Sequence, residues 1–238
     1  MLLSIPTLII HLLTVSEWLA ALLLIYRYGV RIARPGLRLF AVAMLPHLAG
    51  GLLVLAFHAS GDRVDGLLDT ARLFTFFGSL SLLTATLWLL LRARSTAVWV
   101  VAGLMAAGVA WGASRVLGKA DAAALLPGAS LAYLAFLVLL LVLQRREPVL
   151  FSPVTVAGFW LLLVFVAGTI AATVFATDRL GLASLSHADL LHGGSELLLT
   201  VSNLLIVLGV HLRLRALPSS HGSGAAPVLG GAGKLARR

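Results

Sequence analysis

From its start the chain shows long apolar runs separated by short charged or glycine-containing breaks, with no strict alternation of apolar and polar positions. Seven runs stand out, near residues 3–26, 37–58, 70–91, 97–117, 123–144, 153–177 and 190–213. Each is close to the about 20 residues a helix needs to cross a hydrocarbon layer of about 30 Å. Strands of a membrane barrel would alternate between a lipid face and a lumen face over about ten residues. These runs are apolar throughout, which predicts helices, whose backbone hydrogen bonds close within the segment. The expected fold is an all-α, polytopic transmembrane bundle of about seven spans. The first run has no Lys or Arg before Arg27, is too long for a signal core and shows no convincing cleavage site, so a retained span is expected.

Within this pattern the fourth run differs from the rest. Ala102, Ala106, Ala110 and Ser114 recur every four residues beside Gly108 and Gly112, a spacing that lets helix backbones approach closely. Taken as a central packing helix, it suggests a 3+1+3 arrangement: a three-span unit over 1–95, a linker span over 96–122 and a second three-span unit over 123–215. Residues 216–238 are rich in Pro, Ser, Gly and Ala and are expected to form a disordered basic tail. Pro46, followed by Gly50 and Gly51, is expected to kink or loosen the second span.

Composition agrees with the pattern: 60% of the residues are apolar and 11% charged, which excludes a water-soluble fold. The net charge of +9 sits in loops and tail, without the interleaved aromatics of a nucleic-acid surface, so no nucleic-acid partner is expected. Charge sets orientation instead. With seven spans, one side holds 13 of the 18 Lys and Arg; the other holds Asp62, Asp65, Asp69, Asp121, Asp178 and Asp189. The positive-inside rule then puts the N-terminus outside and the C-terminus in the cytoplasm.

Cysteine is absent, which removes disulfides, thiolate catalysis and Cys-ligated metal centres. Lys119 and Lys234 fall in a loop and the tail, leaving no buried amine for a Schiff base, and no Walker A, H-E-x-x-H or G-x-S-x-G pattern occurs. No enzymatic activity is expected. The candidates for chemistry are ionisable groups inside spans, which are costly there and functional suspects by default. In the first span Thr7, His11, Thr14 and Trp18 share one helical face, with Glu17 beside it as a candidate proton carrier. In the last span His192, Glu196, Thr200 and Asn203 share another, next to Gly193 and Gly194. Both polar faces should point into the bundle. Orientation places His11, His58, His192 and Glu196 in the outer half, where they could converge to ligate a transition metal, haem iron or a chlorophyll magnesium. The alternative for each is a hydrogen bond to a neighbouring helix, and for His47, next to Pro46, that is the expected role.

The stretches LSIPTLIIHLLTVSEWLAALLLIYRYG, AMLPHLAGG, AFHASGD and LLTATLWLLLRAR resemble the Ycf49-like membrane family of cyanobacteria and plastids, a domain of unknown function (DUF2499). The match departs from that family around His58, where Phe57 and Ala59-Ser60 replace expected aromatics. The stretch from Phe159 to Leu212, with LLHGGSELLLTVSNLL, is similar to a second family from the same organisms (DUF3593). The chain thus reads as a fusion of the two, covering roughly residues 2–94 and 125–213. The resemblance implies a bacterial inner or thylakoid membrane, lipid as the immediate partner, and a role as an assembly, biogenesis or accessory factor alongside other membrane proteins or photosynthetic complexes. Cofactor binding through the outer histidines and small-solute or proton-coupled transport, with Glu17 and Asn203 at the midplane, are the alternatives.

Overall fold

The computed structural model describes residues 3–91, 100, 103–105, 107–108, 111 and 125–218. Among them are helices α1 (Ile5–Arg31), α2 (Pro35–Ala43), α3 (Leu45–Ala59), α4 (Asp65–Leu90), α5 (Leu126–Arg146), α6 (Pro153–Val174) and α7 (Asp189–Arg215). A π-helical turn, Phe175–Arg179, ends α6, and a short 3₁₀ turn, Leu185–His187, precedes α7. With α2 and α3 counted together, six of these helices are long and apolar enough to cross a membrane. The span expected at 97–117 and the tail at 216–238 lie mostly outside the described residues.

Prolines open five of these seven helices. Pro6, Pro35, Pro46, Pro127 and Pro153 each sit in the first positions of one, where no backbone N–H is required. Ser4 and Ser152 cap α1 and α6, their hydroxyls accepting from the N–H of Thr7 and Thr155. The second span, expected as one kinked helix, is broken at Met44 into α2 and α3, because Pro46 cannot donate into the preceding turn. Neighbouring side chains take up carbonyls at the break: Ser81 Oγ donates to Ala43 O at 2.6 Å and Trp18 Nε1 to Met44 O at 3.1 Å.

The helices form a ring in which α1 packs on α7, α7 on α6, α5 on α4, and α4 on α3. Its centre is aromatic. Phe40 lies 5.0 Å from Phe151 and 6.0 Å from both Phe136 and Phe159, and Trp18 stands edge-on to Phe159 at 6.3 Å. The outward faces carry Ile9, Leu12, Leu131, Ile170 and Leu204, all exposed, as helices facing lipid must. At one end Tyr28 Oη donates to Val149 O at 2.6 Å, Arg213 donates to Pro148 O at 2.6 Å, and Arg34 pairs with Glu147 at 3.4 Å. At the other end Ser4 N–H donates to Asp189 Oδ1 at 2.9 Å. Phe76 meets Leu125 and Ala129 at the start of α5, while Leu89, near the end of α4, packs by Gly36 at the Arg34 end. Helices α4 and α5 therefore run the same way.

Candidate metal centre

α1 and α7 run parallel and press their polar faces together. A Cβ on Gly193 would lie 2.9 Å from Thr7 Oγ1, so the bare glycine sets how closely the two helices approach. Deeper along the seam, Thr14 and Thr200 hydroxyls hydrogen-bond at 3.0 Å, and Asn203 Nδ2 donates to Thr14 O at 3.1 Å. Between these two levels His11 and His192 meet, their Nε2 atoms 2.9 Å apart.

The third imidazole arrives from α3. His58 stacks on His11 with ring centroids 4.8 Å apart and stands edge-on to His192 at 5.1 Å; His11 and His192 are themselves 5.1 Å apart. One ligand nitrogen from each of the three rings lies within 4.8 Å of the others, and all three residues are buried. Two of the rings are backed by carboxylates. His58 Nδ1 is 2.8 Å from Asp62 Oδ1, and His11 Nδ1 is 3.5 Å from Glu196 Oε2. His192 Nδ1 is buried with no hydrogen-bond partner among the described residues.

This is a donor set of three imidazole nitrogens with carboxylates on the remote nitrogens of two rings. Such outer carboxylates fix the tautomer and aim of histidines that ligate a metal. Nitrogens bound at about 2.0–2.1 Å in a tetrahedral site lie about 3.3 Å apart. His11 and His192 need only part by a few tenths of an ångström to reach that separation. A planar macrocycle does not fit: rings already in mutual contact leave no slot for a porphyrin or chlorin between them. The residues fit a bare transition-metal ion.

Of the residues singled out from sequence, the structure brings His11, His58, His192 and Glu196 together and places Thr7, Thr14, Thr200 and Asn203 along the same seam. Trp18 is on the seam face of α1 but turns to the Met44 break. Glu17 stands apart from the cluster, half-buried, with Oε2 unpartnered among the described residues. His47 packs between Trp18, at 5.7 Å, and Tyr133, at 6.4 Å, in the interior. Asp62 was missed as a member of the site. Its signal was faint: an acid four residues after a histidine, just past a helix that ends before Gly61.

The fold and site define a helical multi-pass membrane protein with a buried imidazole cluster assembled from two halves of the chain. Two family models match the chain, one in each half. A protein of unknown function, DUF2499, matches residues 2–88, and another, DUF3593, matches residues 122–215. A Ycf49-like protein of Synechocystis is 30% identical over 89 residues, which are 37% of this chain and 86% of that protein. The chain belongs to the Ycf49-like family through its first half and carries the second domain in its other half. No solved structure matches it.

Proposed function

We propose that this is a metal-binding membrane protein in which His11, His58 and His192 hold one divalent transition-metal ion, with Asp62 and Glu196 orienting the first two. What carries the reading is the meeting of three buried imidazoles from α1, α3 and α7, two of them backed by carboxylates. Neutral imidazole suits zinc, copper and iron alike. Three protein ligands leave a fourth position for water or a passing ligand. The cyanobacterial relative supports a bacterial inner or thylakoid membrane as the host. The lack of catalytic motifs supports an accessory or biogenesis role there, with metal held on behalf of neighbouring membrane proteins. Transport through the bundle gains no support, since beyond Asn203 the interior is filled by Trp18, Phe40, Phe136 and Phe159.

The test is metal analysis and an absorption spectrum on protein purified in mild detergent, followed by titration of the stripped protein with Zn²⁺ and Co²⁺. About one ion per chain is expected, with tetrahedral-type Co²⁺ bands that vanish in His58→Ala and His192→Ala. A Soret or chlorin band, or a stripped protein that takes up neither ion, would defeat the reading.

A further inference from the structure

We propose that the α1–α7 contact is a fused subunit interface. The two family segments behave as two subunits that recognise each other through a buried polar seam, and a family member lacking the second segment takes a separate chain of the second family at this surface.

The division of the site is the first argument. His11, His58 and Asp62 fall in the segment over 2–88, whereas His192 and Glu196 fall in the segment over 122–215. Neither segment alone supplies all three imidazoles of the site. The seam is the second argument, because four hydrogen bonds in it cross between segments: Ser4 to Asp189, His11 to His192, Thr14 to Thr200, and Asn203 to the Thr14 carbonyl. Parted from α7, α1 would turn His11 and Thr14 toward hydrocarbon, where unsatisfied polar groups are not tolerated. Its opposite face, with Ile9, Leu12 and Leu13 exposed, already serves the lipid.

The third argument is length. The match to the Synechocystis protein takes up 86% of that protein, so the remainder has no room for a segment the size of 122–215. Self-association would not replace what is missing, since the acceptor for Ser4 N–H and the amide donor to Thr14 O come from Asp189 and Asn203 of the other family. At the far end Tyr28 to Val149 and Arg34 to Glu147 also join the segments, a point of polar register well separated from the seam.

The inference shares its histidines with the metal reading but is read out separately. A protease site inserted after Ser95 of the tagged full-length chain allows cleavage in the membrane, followed by extraction in mild detergent and capture through the N-terminal tag. The C-terminal fragment is expected to stay bound at about one per N-terminal fragment. In a Thr200→Leu/Asn203→Leu chain retention should fall at least tenfold, and the milder Thr200→Val should lower it measurably should the double variant fail to fold. Cleaved wild-type fragments that part during capture, or variants that hold as firmly as the wild type, would overturn the proposal. Fragments that stay paired but carry no metal would leave the interface standing and remove the metal reading alone.

Discussion

Asp62 is held against His58 by backbone geometry. Helix α3 ends in two crossing bonds, Gly61 N–H to His58 O at 3.0 Å and Asp62 N–H to Phe57 O at 3.1 Å, the reciprocal pattern of a Schellman cap. Both residues take positive φ, 74° and 60°. Glycine adopts this without cost and aspartate is among the few other residues that tolerate it. The turn folds the carboxylate back over the last turn of α3, onto a side chain only 5% exposed. An uncompensated carboxylate this well covered would be expensive, so its pairing with an imidazole N–H is what makes the position tenable. Asp62→Asn keeps the turn and the shape but removes the charge that aligns His58. Metal affinity, measured by competition with a chelator, should then fall about 10–100-fold; an unchanged affinity would mean that Asp62 does not orient a ligand. The same donor set fixes the sign of the pH response. Imidazoles must be neutral to ligate, so protons compete with the metal for the same ring nitrogens and affinity must fall as pH falls far enough to protonate them. Chelator competition repeated at descending pH checks this, and affinity that rose on acidification would exclude imidazole ligation.

At the scale of elements, glycines decide which helices can lie close together. A Cβ on Gly158 would stand 2.8 Å from Ser202 O and 2.7 Å from the Ile206 side chain, at the point where Ser202 Oγ donates to Gly158 O at 2.7 Å. Gly158→Ala should therefore push α6 and α7 apart, costing about 1–3 kcal/mol and lowering the melting temperature in detergent by several degrees. Gly66→Ala meets nothing within 4 Å and serves as the control, with an unchanged or slightly raised melting temperature. If the two variants melted alike, close α6–α7 packing would not be limiting. The same scale shows what could be read from sequence. The polar faces Thr7/His11/Thr14 and His192/Glu196/Thr200/Asn203 were legible because helical periodicity alone puts such residues on one side. That these two faces could converge followed from their shared place in the outer half, but direct contact of α1 with α7 was not legible, because their pairing is set by packing around the ring rather than by either helix. The break at Met44 was signalled by Pro46, but not the role of Trp18, which leaves its polar neighbours to cap a carbonyl there. Helix ends were misjudged outward: α1 runs on to Arg31 and α7 to Arg215, past their apolar runs, because long basic side chains can follow a helix into the interface and keep their charge in water.

For the whole molecule, the polar seam and the aromatic centre divide the interior into two unequal parts. From Ser4 and Asp189 at one end, the seam descends through the imidazoles to Thr14 and Asn203 and meets Trp18, Phe40, Phe136 and Phe159. Beyond that layer the far end is closed by Arg34 with Glu147 and by Tyr28 and Arg213 on the 148–149 loop. The end that carries the imidazoles also carries Asp62 and Asp189; the other carries most of the arginines. If arginine marks the cytoplasmic side, a metal held by the three imidazoles would exchange with the outer compartment and not with the cytoplasm. Because the chain has no cysteine, single substitutions report sidedness directly. Ala183→Cys, in the exposed turn before α7, should react with a membrane-impermeant maleimide added to intact cells, whereas Val149→Cys, 55% exposed at the opposite end, should react only after the membrane is opened. The reverse pattern would invert the bundle and make the site an inward-facing one. Labelling of both residues in intact cells would mean that the two ends do not lie on opposite sides, and the bundle would not span the membrane in this register.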